Sequence, residues 1–85
     1  MPYSPELVAE LNLLNHFNLG TTQEGIKIHN SASSEMKAAA IRLFDKGLIT
    51  QEDGGYLTDL GHEAAEHSQS LIFILTTPVQ VDTTS

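Results

Sequence analysis

The sequence predicts a small, mostly α-helical domain with one β-hairpin, and three local patterns predict it. A helix is expected to end at Gly47, because glycine readily adopts the left-handed backbone conformation found after helix C-termini. A hairpin should follow, since residues 52–55 (Glu-Asp-Gly-Gly) supply turn residues between two short apolar runs. A new helix then begins, with Thr58 as its N-cap and Asp59 near its positive end. Helix, hairpin and helix in this order are what a winged helix-turn-helix fold requires.

Length and composition restrict the classes of function. The 85 residues form one domain with a modest core, predicted over residues 1–75, followed by a flexible tail over residues 76–85. The chain has no cysteine, which excludes disulfides, thiol catalysis and thiolate metal sites. Its start lacks the pattern of a leader peptide, and its longest apolar run, residues 71–75, is too short to cross a bilayer. A cytoplasmic protein with no membrane partner is therefore expected.

The net charge argues against a nucleic-acid partner. It is −7, with eleven acidic residues and only four lysines and arginines. DNA-binding proteins draw much of their affinity from such cations, which neutralise phosphates and release counterions. A DNA-binding function would therefore need the four cations to lie together on one face.

The first predicted helix has a clear beginning. Ser4 can cap it with its hydroxyl, and Pro5 suits the first helical position because its missing N–H has no helical partner there. Apolar residues at helical spacing continue the pattern to about His16, and Phe17 is expected to pack beneath the helix.

Residues 21–30 are ambiguous. A capping-box pattern at residues 21–24 favours a helix, whereas the alternation of residues 26–28 favours a strand. A short helix is the preferred interpretation, because a turn and a further helix start at Ser33 or Ser34 follow. The prediction is then helix, turn, helix.

The third predicted helix covers residues 34–46 and carries one apolar stripe at helical spacing. This stripe is expected to form core. Its members are Met36, Ala39, Ala40, Leu43 and Phe44.

The fourth predicted helix covers residues 59–75. Its predicted core side carries Leu60, Ala64, Leu71 and Leu75, and its polar side carries Asp59, His62, Glu66 and Gln69. Phe73 falls on the polar side, so residues 71–75 are apolar all round. Either the chain leaves the helix there or a second subunit covers the segment. A homodimer is predicted, with an interface of Leu71, Ile72, Phe73 and Leu75.

Four blocks of sequence carry a resemblance to a known family. They are residues 22–26 (Thr-Gln-Glu-Gly-Ile), the Ser33-Ser34 cap, residues 43–49 (Leu-Phe-Asp-Lys-Gly-Leu-Ile) and residues 56–61 (Tyr-Leu-Thr-Asp-Leu-Gly). Their order resembles that of MarR- and PadR-type winged-helix regulators. The whole chain also resembles a small bacterial family of uncharacterised proteins, some of which carry a DNA-binding label.

The resemblance implies a division of roles. In the winged-helix regulators the third helix enters the major groove, the wing touches the neighbouring minor groove or backbone, and the terminal helices dimerise. Three features depart from the pattern: Lys27 stands where a small buried residue is usual, Gly25 interrupts the second helix, and the wing tip at residues 52–55 is acidic. Phosphates would repel such a tip.

Candidate DNA contacts lie at the end of the second helix and along the third. Hydroxyls, backbone N–H groups and an ammonium near a helix N-terminus suit a phosphate, although the same serines and threonines are equally explained as caps. Arg42 and Lys46 could hold backbone phosphates, but such residues more often pair with acids, here Asp45 or Asp59. The candidates are Thr22, Gln23, Lys27, Ser33, Ser34, Lys37, Arg42 and Lys46.

Metal binding and catalysis are not expected. The zinc motif His-Glu-x-x-His would need a histidine four positions after His62, where Glu66 stands. His16 and His29 are isolated in sequence, and no catalytic triad order or glycine-rich phosphate loop is present. No cofactor is predicted.

Two function hypotheses follow. The first is a homodimeric winged-helix protein that binds double-stranded DNA and acts in transcription regulation. The second is a protein-interaction module on the same scaffold, whose acidic surface or residues 71–75 engage a basic or apolar partner. The positions of the cations discriminate between them, because acids mixed among the cations favour the second hypothesis.

Overall fold

The computed structural model describes residues 3–20 and 25–78. Its elements are α1 (Pro5–Leu14), β1 (Ile26–Lys27), α2 (Ser34–Asp45), β2 (Ile49–Gln51), β3 (Gly54–Leu57) and α3 (Asp59–Thr76). The strands form an antiparallel sheet in the order β1-β3-β2. Within the described residues, three helices and a small sheet confirm the predicted fold class, and the layout is compatible with a winged helix.

The helix boundaries follow the capping residues. The hydroxyls of Ser4, Ser33 and Thr58 each accept a hydrogen bond from the backbone N–H three residues later, at 3.0–3.1 Å. Of the two serines proposed to start α2, Ser33 is therefore the cap. Gly47 follows α2 with a φ of 79°, which confirms the predicted helix end.

The predicted hairpin is confirmed between β2 and β3. Gly54 and Gly55 have φ values of 125° and 75°, a region that glycine enters at little cost. The strands pair with Ile49 opposite Leu57 and Gln51 opposite Gly54, with a register irregularity between them.

The short helix preferred over residues 21–30 is wrong where the structure describes the chain. Strand β1 lies there and pairs with β3, with Ile26 opposite Gly55. Gly25 comes so close to β3 that a Cβ on it would lie 2.5 Å from the carbonyl oxygen of Gly55. The glycine therefore allows two strand backbones to come close together, and it does not interrupt a helix as the sequence interpretation had it. The predicted capping box at residues 21–24 lies outside the described residues.

The chain between β1 and α2 is a turn. The backbone N–H of Ala32 donates to the carbonyl oxygen of His29 at 3.0 Å. In a helix-turn-helix, a helix precedes the recognition helix. In the described part of this chain, β1 and the turn occupy that place.

The core lies where the helices meet the hairpin. Its buried apolar residues are Leu13, Leu14, Phe17, Ala39, Ala40, Leu43, Ile49 and Ala65. Phe17 therefore packs beneath α1 as predicted. The stripe predicted on α2 is correct for Ala39, Ala40 and Leu43, whereas Phe44 is 38% exposed and lies outside the core.

The face of α3 that meets the core differs from the predicted one. Gly61, Ala65 and Ser68 are buried, whereas Leu60 is 55% exposed. Of the residues predicted on the core side, Ala64 packs against the core and is partly buried. A Cβ on Gly61 would collide with the backbone carbonyl of Leu48. Small residues mark this contact because the two backbones come close, so the distribution of large apolar residues predicted the wrong stripe.

The end of α3 stays helical to Thr76, so the alternative in which the chain leaves the helix at residues 71–75 is wrong. All five of these side chains are exposed, by 46–69%. We call residues 71–75 the apolar end of α3. Most of the tail predicted over residues 76–85 lies outside the described residues.

Candidate functional site

Two of the four cations predicted to contact DNA, Arg42 and Lys46, lie on α2 or at its C-cap and bind the same carboxylate of α1. Arg42 Nε donates to Glu10 Oε2 at 2.8 Å, and Lys46 Nζ donates to Glu10 Oε1. Arg42 Nη2 also donates to the backbone oxygen of Glu6 at 3.1 Å. Both cations therefore hold α2 against α1, and their charge is shared with an acid inside the fold.

Glu10 is buried, with 5% of its surface exposed. Burial raises the pKa of its carboxyl group, but the hydrogen bonds and charges of Lys46 and Arg42 lower it further, so the pKa lies below its ordinary value. Glu10 is therefore ionised at neutral pH. The acids expected as partners, Asp45 and Asp59, do not take that role in the described structure.

The other two cations, Lys27 and Lys37, lie near the acidic tip of the hairpin. Lys27 lines a surface depression together with Asp53, and Lys37 lines a groove together with Glu52 and Asp53. Neither lysine forms an ion pair within the described residues. The four cations are thus divided between two places: one holds the carboxylate of Glu10, and the other lies beside the carboxylates of the hairpin tip.

The groove beside Lys37, which we call the wing groove, has a volume of about 220 Å³ and runs between the hairpin tip and α2. Its lining consists of Ile28, His29, Asn30, Lys37, Ile41, Glu52 and Asp53. Ile41 is 45% exposed, and Phe44 follows it on the same side of α2. The outer face of the helix that would read DNA therefore offers apolar surface after its first turn.

The remaining predicted DNA contacts either lie at the start of α2 or fall outside the described residues. The hydroxyl of Ser33 accepts the N–H of Met36 as the α2 cap, and Ser34 is exposed in the first turn. Thr22 and Gln23 lie outside the described residues. Contact of any of these residues with DNA stays a prediction.

Two polar residues of α3 that the sequence did not assign to the interior join it to the end of α1. Gln69 Nε2 donates to the carbonyl oxygens of Leu14 and Phe17, at 3.1 and 2.7 Å. Ser68 Oγ donates to Asn15 Oδ1 at 2.8 Å. The sequence analysis placed Gln69 on the polar side of this helix. The one sequence signal for its contact with α1 is that it follows the row of small residues Gly61, Ala65 and Ser68.

The histidine pattern on α3 forms a local pair. His62 Nδ1 lies 3.9 Å from Glu66 Oε1, one helical turn along. In the part of the chain that the structure describes, no three histidine, aspartate or glutamate side chains converge. A metal ion at this pair would find no third protein ligand there.

The apolar end of α3 is the second surface of interest. Phe73, Ile74 and Leu75 are the most exposed large apolar residues of the described chain, at 68–69%. Residues 67–78 contain no aspartate, glutamate, lysine or arginine. An exposed patch of this kind commonly marks a site of association.

Among the described residues, none of the helices is both long enough and apolar enough to span a membrane. Residues 1–76 match the model of a family of unknown function, DUF5669, and the chain belongs to that family. No curated protein and no solved structure matches the chain. The family description assigns no activity. It also does not mention MarR- or PadR-type regulators, so the family match leaves that resemblance untested.

Proposed function

We propose that this member of the DUF5669 family is a protein-interaction module on a winged-helix scaffold, and that its partner is a protein rather than DNA. The observation that carries the proposal is the mixing of acids among the cations. Glu10 pairs with both Arg42 and Lys46 and offsets one of their two charges, while Lys27 and Lys37 lie beside the acidic hairpin tip. A duplex approaching the hairpin tip would meet carboxylates as well as cations, and at Arg42 and Lys46 the buried Glu10 reduces the positive charge. Both effects lower the electrostatic part of the affinity for DNA.

The wing groove suits a partner segment that combines a basic and an apolar side chain. Ile28 and Ile41 supply apolar surface, and Glu52 and Asp53 supply carboxylates beside it. A lysine or arginine of the partner would pair with these carboxylates while its apolar neighbour covers Ile41. The net charge of −7 adds long-range attraction for a basic partner.

A matched pair of charge reversals tests this function. Glu52→Lys changes the wing groove, and Glu63→Lys makes the same change at an exposed position of α3. In pull-downs from native extract, the unaltered chain and Glu63→Lys should retain the same nuclease-resistant protein, and Glu52→Lys should lose it. Recovery that nuclease abolishes, or that Glu52→Lys leaves unchanged, would overturn the proposal.

DNA binding in transcription regulation is the second candidate, and the sheet supports it. The strand order β1-β3-β2 with a hairpin after α2 is compatible with a winged helix, and Ser34 and Lys37 are exposed at the start of α2. Since two cations lie outside ion pairs among the described residues and each neutralised phosphate contributes about 0.9, each bound chain should lower the logarithm of the binding constant by roughly 2 per decade of salt. An anisotropy titration with duplex DNA at low salt would show this slope. Binding no stronger than that of an unrelated acidic protein would remove the candidate.

A further inference from the structure

We propose that the outer edge of β1 is a further binding surface, at which an extended segment of a partner protein adds a strand to the sheet. This segment carries apolar and acidic side chains in alternation. The inference goes beyond the proposed function, because it concerns the edge of β1 rather than the wing groove and a partner segment of the opposite charge. The two surfaces can therefore be tested independently.

Strand β1 lies at an edge of the described sheet, whose order is β1-β3-β2. Just after β1, the backbone N–H of Ile28 donates to the carbonyl oxygen of Asp53 at 2.8 Å, and Ile26 pairs with Gly55. Because backbone groups alternate along a strand, the N–H and C=O of Lys27 point the other way, out of the sheet. No described strand lies on that side. The edge therefore offers the backbone groups that an added strand binds.

A pocket of about 430 Å³ lies beside this edge, with nearly twice the volume of the wing groove. No residue of β2 or β3 lines it, so it lies on the side of β1 away from the rest of the sheet. Its apolar lining includes Leu13, which is 1% exposed, and Ile26, Ile28 and Met36, which pack against the core. An apolar side chain of an added strand has a matching site here.

The charges around the pocket select an acidic segment. Its lining contains no aspartate or glutamate, whereas carboxylates line the wing groove. Three lining residues with basic side chains are exposed: His16, Lys27 and His29. Lys27 also borders the depression that contains Asp53, yet it forms no ion pair in the described part of the chain. A basic segment finds no carboxylate in this pocket, and an acidic one finds an ammonium group.

The sheet also fixes the order of the partner's side chains. Successive side chains of a strand point to opposite faces, and here Ile26 and Ile28 are partly buried while Lys27 is exposed. An added strand follows the same alternation, so its apolar side chains lie on the pocket side and an acid between them lies beside Lys27. The expected pattern is apolar, acidic, apolar.

An NMR titration with a capped peptide of alternating valine and glutamate tests the inference. At roughly millimolar peptide, the amide signals of Lys27 and His29 should shift. Deuterium exchange at the Lys27 amide should slow, because this N–H gains an acceptor on the added strand. The same peptide with lysine in place of glutamate should bind about fivefold more weakly, as expected when an opposite charge beside Lys27 becomes a like charge.

A matched pair of charge reversals checks the position of the site. Lys27→Glu keeps the backbone N–H and reverses the charge at the edge, so it should reverse the preference between the two peptides. Lys37→Glu makes the same change at an exposed lysine of α2 that does not line this pocket. It should leave the affinity for the glutamate peptide within about twofold, because salt screens distant exposed charges.

Unshifted signals at Lys27, equal affinity for the two peptides, or an exchange rate at Lys27 that the peptide leaves unchanged would overturn the inference. The proposed function has a separate outcome. Glu52→Lys should bind the glutamate peptide as the unaltered chain does, and it should lose only the nuclease-resistant partner of the wing groove.

Discussion

Arg42 Nε lies 2.8 Å from Glu10 Oε2, and this pair joins α2 to α1 across 32 positions of sequence. Lys46 binds the other oxygen of the same carboxylate. Two of the four cations that a DNA-binding role would use are therefore part of the contact between two helices. Their position favours a structural role and leaves the surface of the protein acidic.

Replacing Glu10 should destabilise the fold. In Glu10→Gln, Arg42 and Lys46 lose a charged acceptor, and we expect the free energy of unfolding to fall by about 1–3 kcal/mol. Urea denaturation followed by circular dichroism measures the change. Glu63→Gln, at an exposed site, is the control and should stay within about 0.5 kcal/mol of the unaltered protein. Equal midpoints for Glu10→Gln and the unaltered chain would show that the pair adds no stability.

The same carboxylate should make stability depend on pH. Since the pKa of Glu10 is lower in the folded chain than in the unfolded one, its contribution is fully present above the ordinary glutamate pKa of about 4.3. It is lost as the pH falls through the lower folded value. The difference in unfolding free energy between the unaltered chain and Glu10→Gln should therefore shrink on acidification below pH 4.3 or thereabouts. A difference that stays constant from neutral to acidic pH would contradict this account.

Gly61→Ala should destabilise the protein, although alanine is normally the better helix former. A Cβ at this position would collide with the backbone carbonyl of Leu48, so α3 would have to move away from the chain before β2. We expect a loss of about 1–3 kcal/mol in the free energy of unfolding, as in other overpacked sites. Ser70→Ala, on the exposed side of the same helix, should change it by less than about 0.5 kcal/mol. A higher melting temperature for Gly61→Ala would refute the close contact.

Gln69→Leu tests the link between α3 and the end of α1. The substitution removes both hydrogen bonds to the carbonyl oxygens of Leu14 and Phe17. These carbonyls would lose a partner in a partly buried place, which should cost about 1–3 kcal/mol. Thermal unfolding measures the loss. An increase in stability would mean that water replaces the side chain without cost.

Local signals predicted much of the fold. The caps at Ser4 and Thr58 and the glycines of the hairpin depend on neighbours within a few residues, so the sequence alone contains the information. Strand β1 was missed because Ile26 pairs with Gly55, far along the chain. A two-residue strand gains its stability from that partner rather than from its own propensity.

The candidate sites were predictable only in part. The apolar end of α3 was visible as an apolar run, but Leu71 and Leu75, which were predicted on the core side, are exposed together with the rest of it. The pairing of Arg42 with Glu10 was not visible, because nearer acids were equally plausible by spacing. The wing groove joins residues from the segment after β1, from α2 and from the hairpin tip, so it exists only once these elements have packed together.

The hydrogen bonds from Gln69 and Ser68 to the last residues of α1 also bear on how the domain opens. The acceptors at the C-terminal end of α1 lose the donors that bind them whenever the middle of α3 detaches. Amide protons in both regions should then exchange with deuterium at similar rates, as one cooperative unit. The exposed last turns of α3, residues 70–76, would exchange much sooner in a single chain. The domain would then have a stable centre and one helix end that unfolds locally.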